Sequence, residues 1–600
     1  MANSAGALAE DLFRRGDAAH DARDYLLAEK LVRSALALDP AHWQARYTLA
    51  VILQDLGRHA EAIPLYESVL ADRPDNAKAL GNLGVALQYS GRREDAIAAF
   101  RKALRADPSF QGAASNLSGL LAEIGHTDEA IAVLSSLCST TQPNVFDLRR
   151  ALIQAPIADS AEKIRARRAE MLADLKRIAN NPPLLQDPLR EVGRTPFYLP
   201  YQPDDDRELL ETLAEVYRKA CPGLSHVAAH CKMPANRNRS ARHRIGFASL
   251  FFYDHSVGRV MRGLIERLPR DRFEVTVIFL GAAPDDPLAR SLAASADRTV
   301  EAPYYLAVAR EMIGSLELDV LCLPDFGMDP LSYFLGFARL APVQCTTWGH
   351  VETSGLKSID WFVSAESWEH PDANADYTER LHQLKGVASP SFLSPIPAPD
   401  GKSRLADTTG GVDFACFQML YKLHPDFDLA LRQILEALPE ARLYLVRSGE
   451  PTWNAKVINR LQRALGAVSS QVIWLDPMSR DDYQATLAAV DVVLDPIHFS
   501  GGNTSLEAFA AGTPIVTLEG RQLRARFTAG FYRFMGMEDM IAHSIADYVN
   551  LAVELARDAG RRGDTRRRIE QGRGRLFEDQ QVIERWTEFL LGAIETTGST

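Results

Sequence analysis

The chain has 600 residues, 46% of them hydrophobic and 24% charged, with a formal net charge of −11. A single hydrophobic core stops growing well below that length, so several domains are required. The acidic balance excludes a general nucleic-acid binder, whose footprint is basic, and no apolar run reaches the ~18 residues that would span a membrane.

The first residues, MANSAGALAEDLFRRGD, place an acidic residue where the apolar stretch of a secretory signal would lie, so a cytoplasmic location is expected. Then a period sets in. Ala28, Ala62, Ala96 and Ala130 recur every 34 residues, as do Gly57, Gly91 and Gly125, Leu49, Leu83 and Leu117, and Pro40, Pro74 and Pro108. Small residues let two antiparallel helices approach closely, and Pro ends the second helix because it has no N–H to donate. This is the tetratricopeptide signature, with four units at 7–40, 41–74, 75–108 and 109–142. Such units stack into a solenoid with a concave binding surface. Asn82 and Asn116 hold the same register in successive repeats, on the helix that lines the concave face. A repeated Asn can hydrogen-bond a peptide backbone in both directions, which predicts a protein-substrate groove.

After Pro143 the period is lost. A helical connecting region is expected over 143–240, broken by NNPP at 180–183 and ending in the polar run KMPANRNRSARH at 232–243. From Arg244 short apolar strands alternate with amphipathic helices, which means βαβ units and parallel sheets. One series, RIGFASLFF (244–252), FEVTVIFLG (273–281), LDVLCLP (318–324), VQCTTWG (343–349) and IDWFVSA (359–365), fills a first lobe at 241–400. A loop-like run at 398–411 precedes a second series, VDFACFQ (412–418), ARLYLVRS (441–448), QVIWLDP (471–477), VDVVLDP (490–496) and TPIVTLEG (513–520). These fill a second lobe at 401–597 that ends in a closing C-terminal helix. The fold class is therefore a tetratricopeptide solenoid followed by two Rossmann-like α/β domains with a cleft between them, the GT-B architecture, with two Rossmann-like domains of unrelated chemistry as the alternative. Seven arginines between Arg561 and Arg575 predict a solvated helical face. The six cysteines (Cys138, Cys221, Cys231, Cys322, Cys345, Cys416) lack CxxC spacing and predict reduced thiols, not a disulfide frame or a zinc site.

The segment HFSGGNTSLEAFAAGTPIVTLEG (498–520) carries the chemistry. It leaves a strand through a Gly-rich turn into a helix. The backbone N–H groups of Gly501, Gly502, Asn503 and Thr504 open that helix, and a helix N-terminus favours an anion through its unpaired donors and its dipole. A nucleotide diphosphate is the expected occupant, with Gly502 permitting close backbone approach. Glu507, one turn on, is positioned to accept hydrogen bonds from ribose hydroxyls.

This block resembles the O-GlcNAc-transferase-like family, together with FQMLYKLHP (417–425), TTWGHVETSG (346–355), DYTERLHQLKG (376–386) and GMEDMIAHSIADYVNLAVELARD (536–558). More closely it resembles bacterial members labelled SPINDLY-like, including tetratricopeptide-bearing flagellin glycosyltransferases. The resemblance implies that Lys422 neutralises the donor diphosphate as it leaves, where electrostatic help counts most. It places Gln418, Gly501, Gly502, Asn503, Thr504 and Glu507 around the donor. Gln418 and Met419 stand where eukaryotic members carry Asn-Gln, and Glu507 stands where they carry Asp. His255 matches an active-site histidine able to orient the acceptor hydroxyl or take its proton, with Asp254 beside it as a second candidate. His350 and Glu352 line the acceptor or sugar pocket, and His498 approaches the donor.

No Asp-x-Asp stands at a strand end, and the acidic run Asp204–Asp206 reads as surface, so no metal and no cofactor are expected. The implied activity is an inverting, metal-independent protein O-glycosyltransferase. It would move a sugar from UDP-GlcNAc or a CMP-nonulosonic acid to Ser or Thr of a protein recruited by the repeats, with flagellin the preferred acceptor. A scaffold with an inactive catalytic region, or a transferase acting on a small molecule or glycan, stays open as an alternative.

Overall fold

The computed structural model describes residues 2–139, 141–232, 242–387, 400–406 and 410–598. The chain divides into two compact units on either side of residue 140.

The first unit is four helical hairpins: α1 (Ala2–Asp21) with α2 (Tyr25–Leu38), α3 (Trp43–Asp55) with α4 (His59–Asp72), α5 (Ala77–Tyr89) with α6 (Arg93–Ala106), and α7 (Gln111–Glu123) with α8 (Thr127–Ser135). Each hairpin packs on the next. The periodic alanines explain the close helix approach: Ala28, Ala62, Ala96 and Ala130 are all fully buried. Gly57, Gly91 and Gly125 turn each hairpin with φ of +76°, +77° and +89°. The first repeat has Arg23 at the equivalent position, held at φ +60° without the freedom of glycine. Asn82 donates to the Tyr47 hydroxyl at 2.9 Å, so it braces one repeat against the next, while Asn116 is exposed. The Asn pair is therefore not a uniform ladder.

The second unit contains two parallel sheets. The first runs in the order β3-β2-β1-β4-β5-β6-β7, built from β1 (His243–Ser249), β2 (Phe273–Leu280), β3 (Arg298–Ala302), β4 (Val320–Cys322), β5 (Val343–Thr347), β6 (Trp361–Ala365) and β7 (Arg380–Leu384). In its register Ile245 faces Val275 on one side and Val320 on the other. The second runs β10-β9-β8-β11-β12-β13, from β8 (Asp413–Cys416), β9 (Arg442–Val446), β10 (Val472–Leu475), β11 (Val492–Leu494), β12 (Ile515–Leu518) and β13 (Ile541–Ala542). Every pairing is parallel. Strand order reverses between β1 and β4 in one sheet and between β8 and β11 in the other. Ligands of open α/β sheets bind outside the strand C-termini at such reversals.

All ten predicted strands form. The three that sequence reading missed, β3, β7 and β13, are edge strands. An edge strand is short and partly wetted, so it lacks the continuous apolar run of a central parallel strand. Arg298, Thr299 and Glu301 of β3 accordingly face solvent or nearly so.

The region 143–240 is not a linker: its helices Ala161–Asn180 and Arg207–Ala220 share a buried core with the first sheet, where Met171, Leu175 and Leu213 join Leu321 and Leu323. The closing helix Gln580–Gly598 packs against β5 and β7 of the first sheet, with Phe589 edge-on to Trp361 at 5.7 Å. The acidic run is not all surface either. Asp206 is 3% exposed and pairs at 2.8 Å with both Arg168 and Arg524, joining this helical region to the second sheet's loops. Within the basic stretch, Arg568 pairs with Asp539 at 2.5 Å, but Arg562 and Arg573 donate to backbone carbonyls, so only part of that face is solvated. Residues 233–241 of the polar run at 232–243, and residues 398–399 and 407–409 of the break at 398–411, fall outside the described residues.

Gly91 has open space where a Cβ would stand, so its replacement tests backbone conformation alone. Gly91→Ala is expected to cost about 1–2 kcal/mol, the left-handed penalty of an L-residue. Urea denaturation of the full chain, followed by helical circular dichroism, measures it; an unshifted first transition would contradict the assignment.

Candidate functional site

A cavity of about 1010 Å³ opens where the C-terminal ends of both sheets meet. Its floor comes from the loops after β1, β5, β8, β9 and β11. The connecting region contributes Phe197 and Tyr201, which sequence reading had left in a linker. Tyr201 packs against Tyr421 at 4.5 Å and Phe499 at 4.6 Å, making one wall aromatic.

The helix Asn503–Ala510 points its N-terminus at this cavity, with Gly502 as N-cap and no side chain capping it. Its first donors are therefore left for an anion. Gly501 behaves differently from expectation: its N–H already donates to Asp495 Oδ1 at 2.8 Å. It is also the crowded glycine, since a Cβ there would stand 2.4 Å from Ser505 Oγ and 2.6 Å from Thr504 Oγ1. Gly502 has only Trp348, at 3.6 Å, in front of its Cβ position. The conformational need is thus at Gly501, while Gly502 presents its backbone to the cavity.

Lys422 ends a short turn after β8. Its ammonium donates to Gln418 Oε1 at 3.0 Å and lies 4.7 Å from the centre of the Phe499 ring. Gln418 Nε2 in turn donates to Thr504 Oγ1 at 2.5 Å, tying the Lys422 loop to the glycine turn. Burial drives the Lys422 ammonium down to about 8, partly opposed by the Asp495 carboxylate. A buried cation with neutral partners is poised for an anion.

Glu507 lines the cavity and is the one acidic residue that does so among the described residues. Burial raises its carboxyl, opposed by Arg259 at 3.7 Å and by a hydrogen bond from the Tyr483 hydroxyl. Asn503 Nδ2 reaches across to the Ser256 carbonyl at 3.3 Å.

The acceptor-side residues separate. His255 lines the cavity, stacked on Phe251 at 4.7 Å, and its Nδ1 accepts the Val257 N–H at 3.3 Å as the N-cap of helix Ser256–Arg267. The neutral ring then carries its proton on Nε2 and is a donor there, not a base. Burial lowers its pKa, as does Arg259. Asp254 is exposed, held ionised by Arg259 at 2.8 Å, and faces a side recess instead of the main cavity. Its second-candidate role is withdrawn. His350 lines the cavity and lies parallel to Phe197, with Nε2 at 3.1 Å from Glu352 Oε1. Burial pushes the Glu352 carboxyl up while His350 pulls it down.

His498 does not line the cavity. It sits at φ +70° with Nε2 2.9 Å from Asp426 Oδ2, and His424 Nδ1 stands 3.3 Å from the same oxygen. These three are the group able to hold a metal ion among the described residues. Sequence reading missed Asp495, Arg259 and Asp426. Of these only Arg259, one helical turn past His255, carried a local signal.

Residues 403–585 match the model of glycosyl transferase family 41, and residues 43–109 and 82–144 match tetratricopeptide repeat models. Over 232 residues the chain is 28% identical to a probable UDP-N-acetylglucosamine–peptide N-acetylglucosaminyltransferase SPINDLY of Solanum lycopersicum, covering 37% of this chain and 24% of that one. A UDP-glucose:protein N-beta-glucosyltransferase of Actinobacillus pleuropneumoniae is 23% identical over 257 residues, 42% of this chain and 41% of the relative. The chain thus spans about a quarter of the length of the first curated relatives. Among solved structures, a mutant of Thermobaculum terrenum O-GlcNAc transferase aligns over 99% of both chains at 25% identity with a TM-score of 0.57.

Gly501→Ala is expected to destabilise the protein by about 1–3 kcal/mol, the usual cost of overpacking, because Ser505 and Thr504 must move. Gly502→Ala should leave stability near the parent value. Thermal unfolding of both variants measures this; equal losses would refute the assignment of the crowded position.

Proposed function

We propose that this chain, an O-GlcNAc-transferase-like protein in which tetratricopeptide repeats precede a family-41 glycosyltransferase region, transfers a sugar from a nucleotide donor to a protein. The observation that carries the reading is Lys422: a buried ammonium with neutral contacts, beside an uncapped helix N-terminus, in a 1010 Å³ cavity. Both features favour the diphosphate, and the cation stabilises it most as it leaves. Uridine is the proposed base, since the names of the SPINDLY and N-glucosyltransferase relatives specify UDP sugars. A CMP-nonulosonic acid is the rival donor.

A double displacement needs a nucleophilic side chain in the cavity. Among the described residues Glu507 is the one acidic candidate in the lining, and it is engaged by Tyr483 and Arg259. That supports a single, inverting displacement by the acceptor. A lining with one carboxylate among the described residues supports transfer without a divalent ion on the diphosphate. The acceptor proton passes to the His350 ring, whose Nε2 stands 3.1 Å from the buried Glu352 carboxyl, while His255 Nε2–H orients a substrate oxygen. The acceptor is proposed to be Ser or Thr of a repeat-bound protein, a flagellin-like subunit in the cytoplasm being the first to test. Modification of Asn instead would follow the N-glucosyltransferase relative.

The sign of the pH dependence follows from Lys422. Folded, it loses its proton near 8 rather than at its ordinary 10.5. Its burial therefore costs stability below about 8, and the cost is relieved as pH rises from 8 towards 10.5. UDP binding runs the opposite way, because only the charged form attracts phosphate. Calorimetric titration should show UDP affinity falling as pH rises through about 8, with proton uptake on binding near that pH. Titrations with CMP and GDP in parallel separate the donors; a preference for GDP would refute both candidates.

Intact-mass analysis of acceptor proteins co-expressed with the chain tests transfer itself. Lys422→Ala should abolish the added mass while leaving the fold intact, and wild-type turnover would sink the role assigned to it. Deleting residues 1–140 should abolish modification of the protein acceptor yet leave UDP affinity nearly unchanged, since tethering raises the local acceptor concentration. A truncated chain modifying its acceptor at the full rate would end the recruitment proposal.

A further inference from the structure

Outside the donor cavity, two loops from different parts of the second sheet bring His424, Asp426 and His498 together. His424 is the N-cap of helix Pro425–Ala437 and is 4% exposed. Asp426 lies in that helix's first turn, and His498 precedes the glycine turn. Asp426 Oδ2 stands 2.9 Å from His498 Nε2 and 3.3 Å from His424 Nδ1. The three candidate ligand atoms all lie within 4.8 Å of one another. In a tetrahedral zinc site with bonds of about 2.0–2.1 Å, neighbouring ligand atoms stand about 3.3 Å apart. The Asp426 oxygen is thus at ligand spacing from both histidines, and the third separation is within 4.8 Å.

Hydrogen-bond arithmetic leaves this cluster short of one cation. His498 can donate from Nε2 to Asp426 Oδ2. His424 Nδ1 accepts the Asp426 N–H at 3.2 Å, so in the neutral ring it has no proton for the carboxylate. Two acceptors, Nδ1 and Oδ2, then face each other across 3.3 Å. The proton displaced to His424 Nε2 is buried there without a hydrogen-bond partner. The opposite tautomer restores one bond but forfeits the N–H of Asp426. A cation between Nδ1 and Oδ2 turns the facing acceptors into ligands, in exchange for the Asp426 N–H contact, while the Nε2 proton stays in place. His498 meanwhile holds a left-handed backbone that favours glycine, as residues held for a site often do.

We propose that His424 Nδ1, Asp426 Oδ2 and His498 Nε2 form a divalent metal site of the zinc class, with water completing the tetrahedron. Two imidazoles and one carboxylate suit zinc among the borderline ions. On binding, the His498 proton moves from Nε2 to Nδ1, and the ion replaces the Asp426 N–H as partner of His424 Nδ1. No member of the trio lines the cavity, so the ion touches neither donor nor acceptor. Its place is structural. His424 stands two residues beyond Lys422, and His498 precedes Phe499, whose ring carries the Lys422 ammonium. The ion would clamp the β8 and β11 loops at a second place, apart from the Gln418–Thr504 bond.

The test reads metal binding, independent of transfer. The full chain is stripped with a chelator and titrated with Zn²⁺ against a chromophoric competitor, and with Co²⁺ for the intense visible bands of tetrahedral coordination. One equivalent is expected to bind. His498→Asn, which tolerates the left-handed backbone, and Asp426→Asn should each weaken zinc by more than the ~100-fold typical of losing a residue that only hydrogen-bonds to a ligand. Zinc should raise the thermal midpoint of the parent and of neither variant. Absence of zinc binding in the parent would overturn the site and leave a hydrogen-bonded trio. Retention of parent affinity in either variant would overturn the three-ligand assignment.

Discussion

Burying an ammonium without a carboxylate in contact is costly, and the second unit is arranged around that cost at Lys422. The nearest groups are an amide oxygen at 3.0 Å and an aromatic face at 4.7 Å, both weaker partners than an anion. Asp495 would be a strong partner, but it spends its carboxylate on the Gly501 N–H and the Thr517 hydroxyl, both at 2.8 Å. It shapes the glycine turn and leaves Lys422 for something that arrives. Gln418 then passes the constraint on, since its amide joins Lys422 to Thr504 and so fixes cation and helix N-terminus as one receptor. The charge comes from one loop and the backbone donors from another, held together by a single neutral side chain.

The same logic assigns the other cavity residues by what they are already bonded to. His255 is committed through Nδ1 to a helix cap, so its reactive edge is a donor. His350 is committed through one nitrogen to a buried carboxyl, the arrangement in which a ring can take up a proton and have its charge compensated. Position in the cavity alone does not separate these two histidines. Their hydrogen bonds do.

Much of the architecture was legible in the residues because it is periodic. The 34-residue recurrence of Ala, Gly and Pro follows from hairpins that must pack identically on each neighbour, and central parallel strands show as unbroken apolar runs. Edge strands such as β3 escape because one side of them faces water. The donor site was legible at Lys422 and the glycine turn, where a short segment carries the whole device. It was not legible where the device is assembled from afar. Phe197 and Tyr201 come from a stretch whose Pro-rich sequence reads as a connection, and Asp426 meets His498 across 72 residues of chain. Nor does a motif say which of two adjacent glycines is crowded: that depends on Ser505 and Thr504 folding back over Gly501.

Two braces on the same pair of loops have different consequences. The Gln418–Thr504 bond is neutral and lies inside the cavity, so whatever enters the cavity can compete for both its ends. The His424–Asp426–His498 cluster is charged and lies outside, so nothing that enters the cavity competes with it. A cavity whose inner hydrogen bonds can be exchanged keeps its loop spacing only if contacts elsewhere set it. The acid-poor lining and the acid-bearing cluster behind it fit one division of labour. Negative charge is kept out of most of the cavity lining and used where it can hold the loops in place.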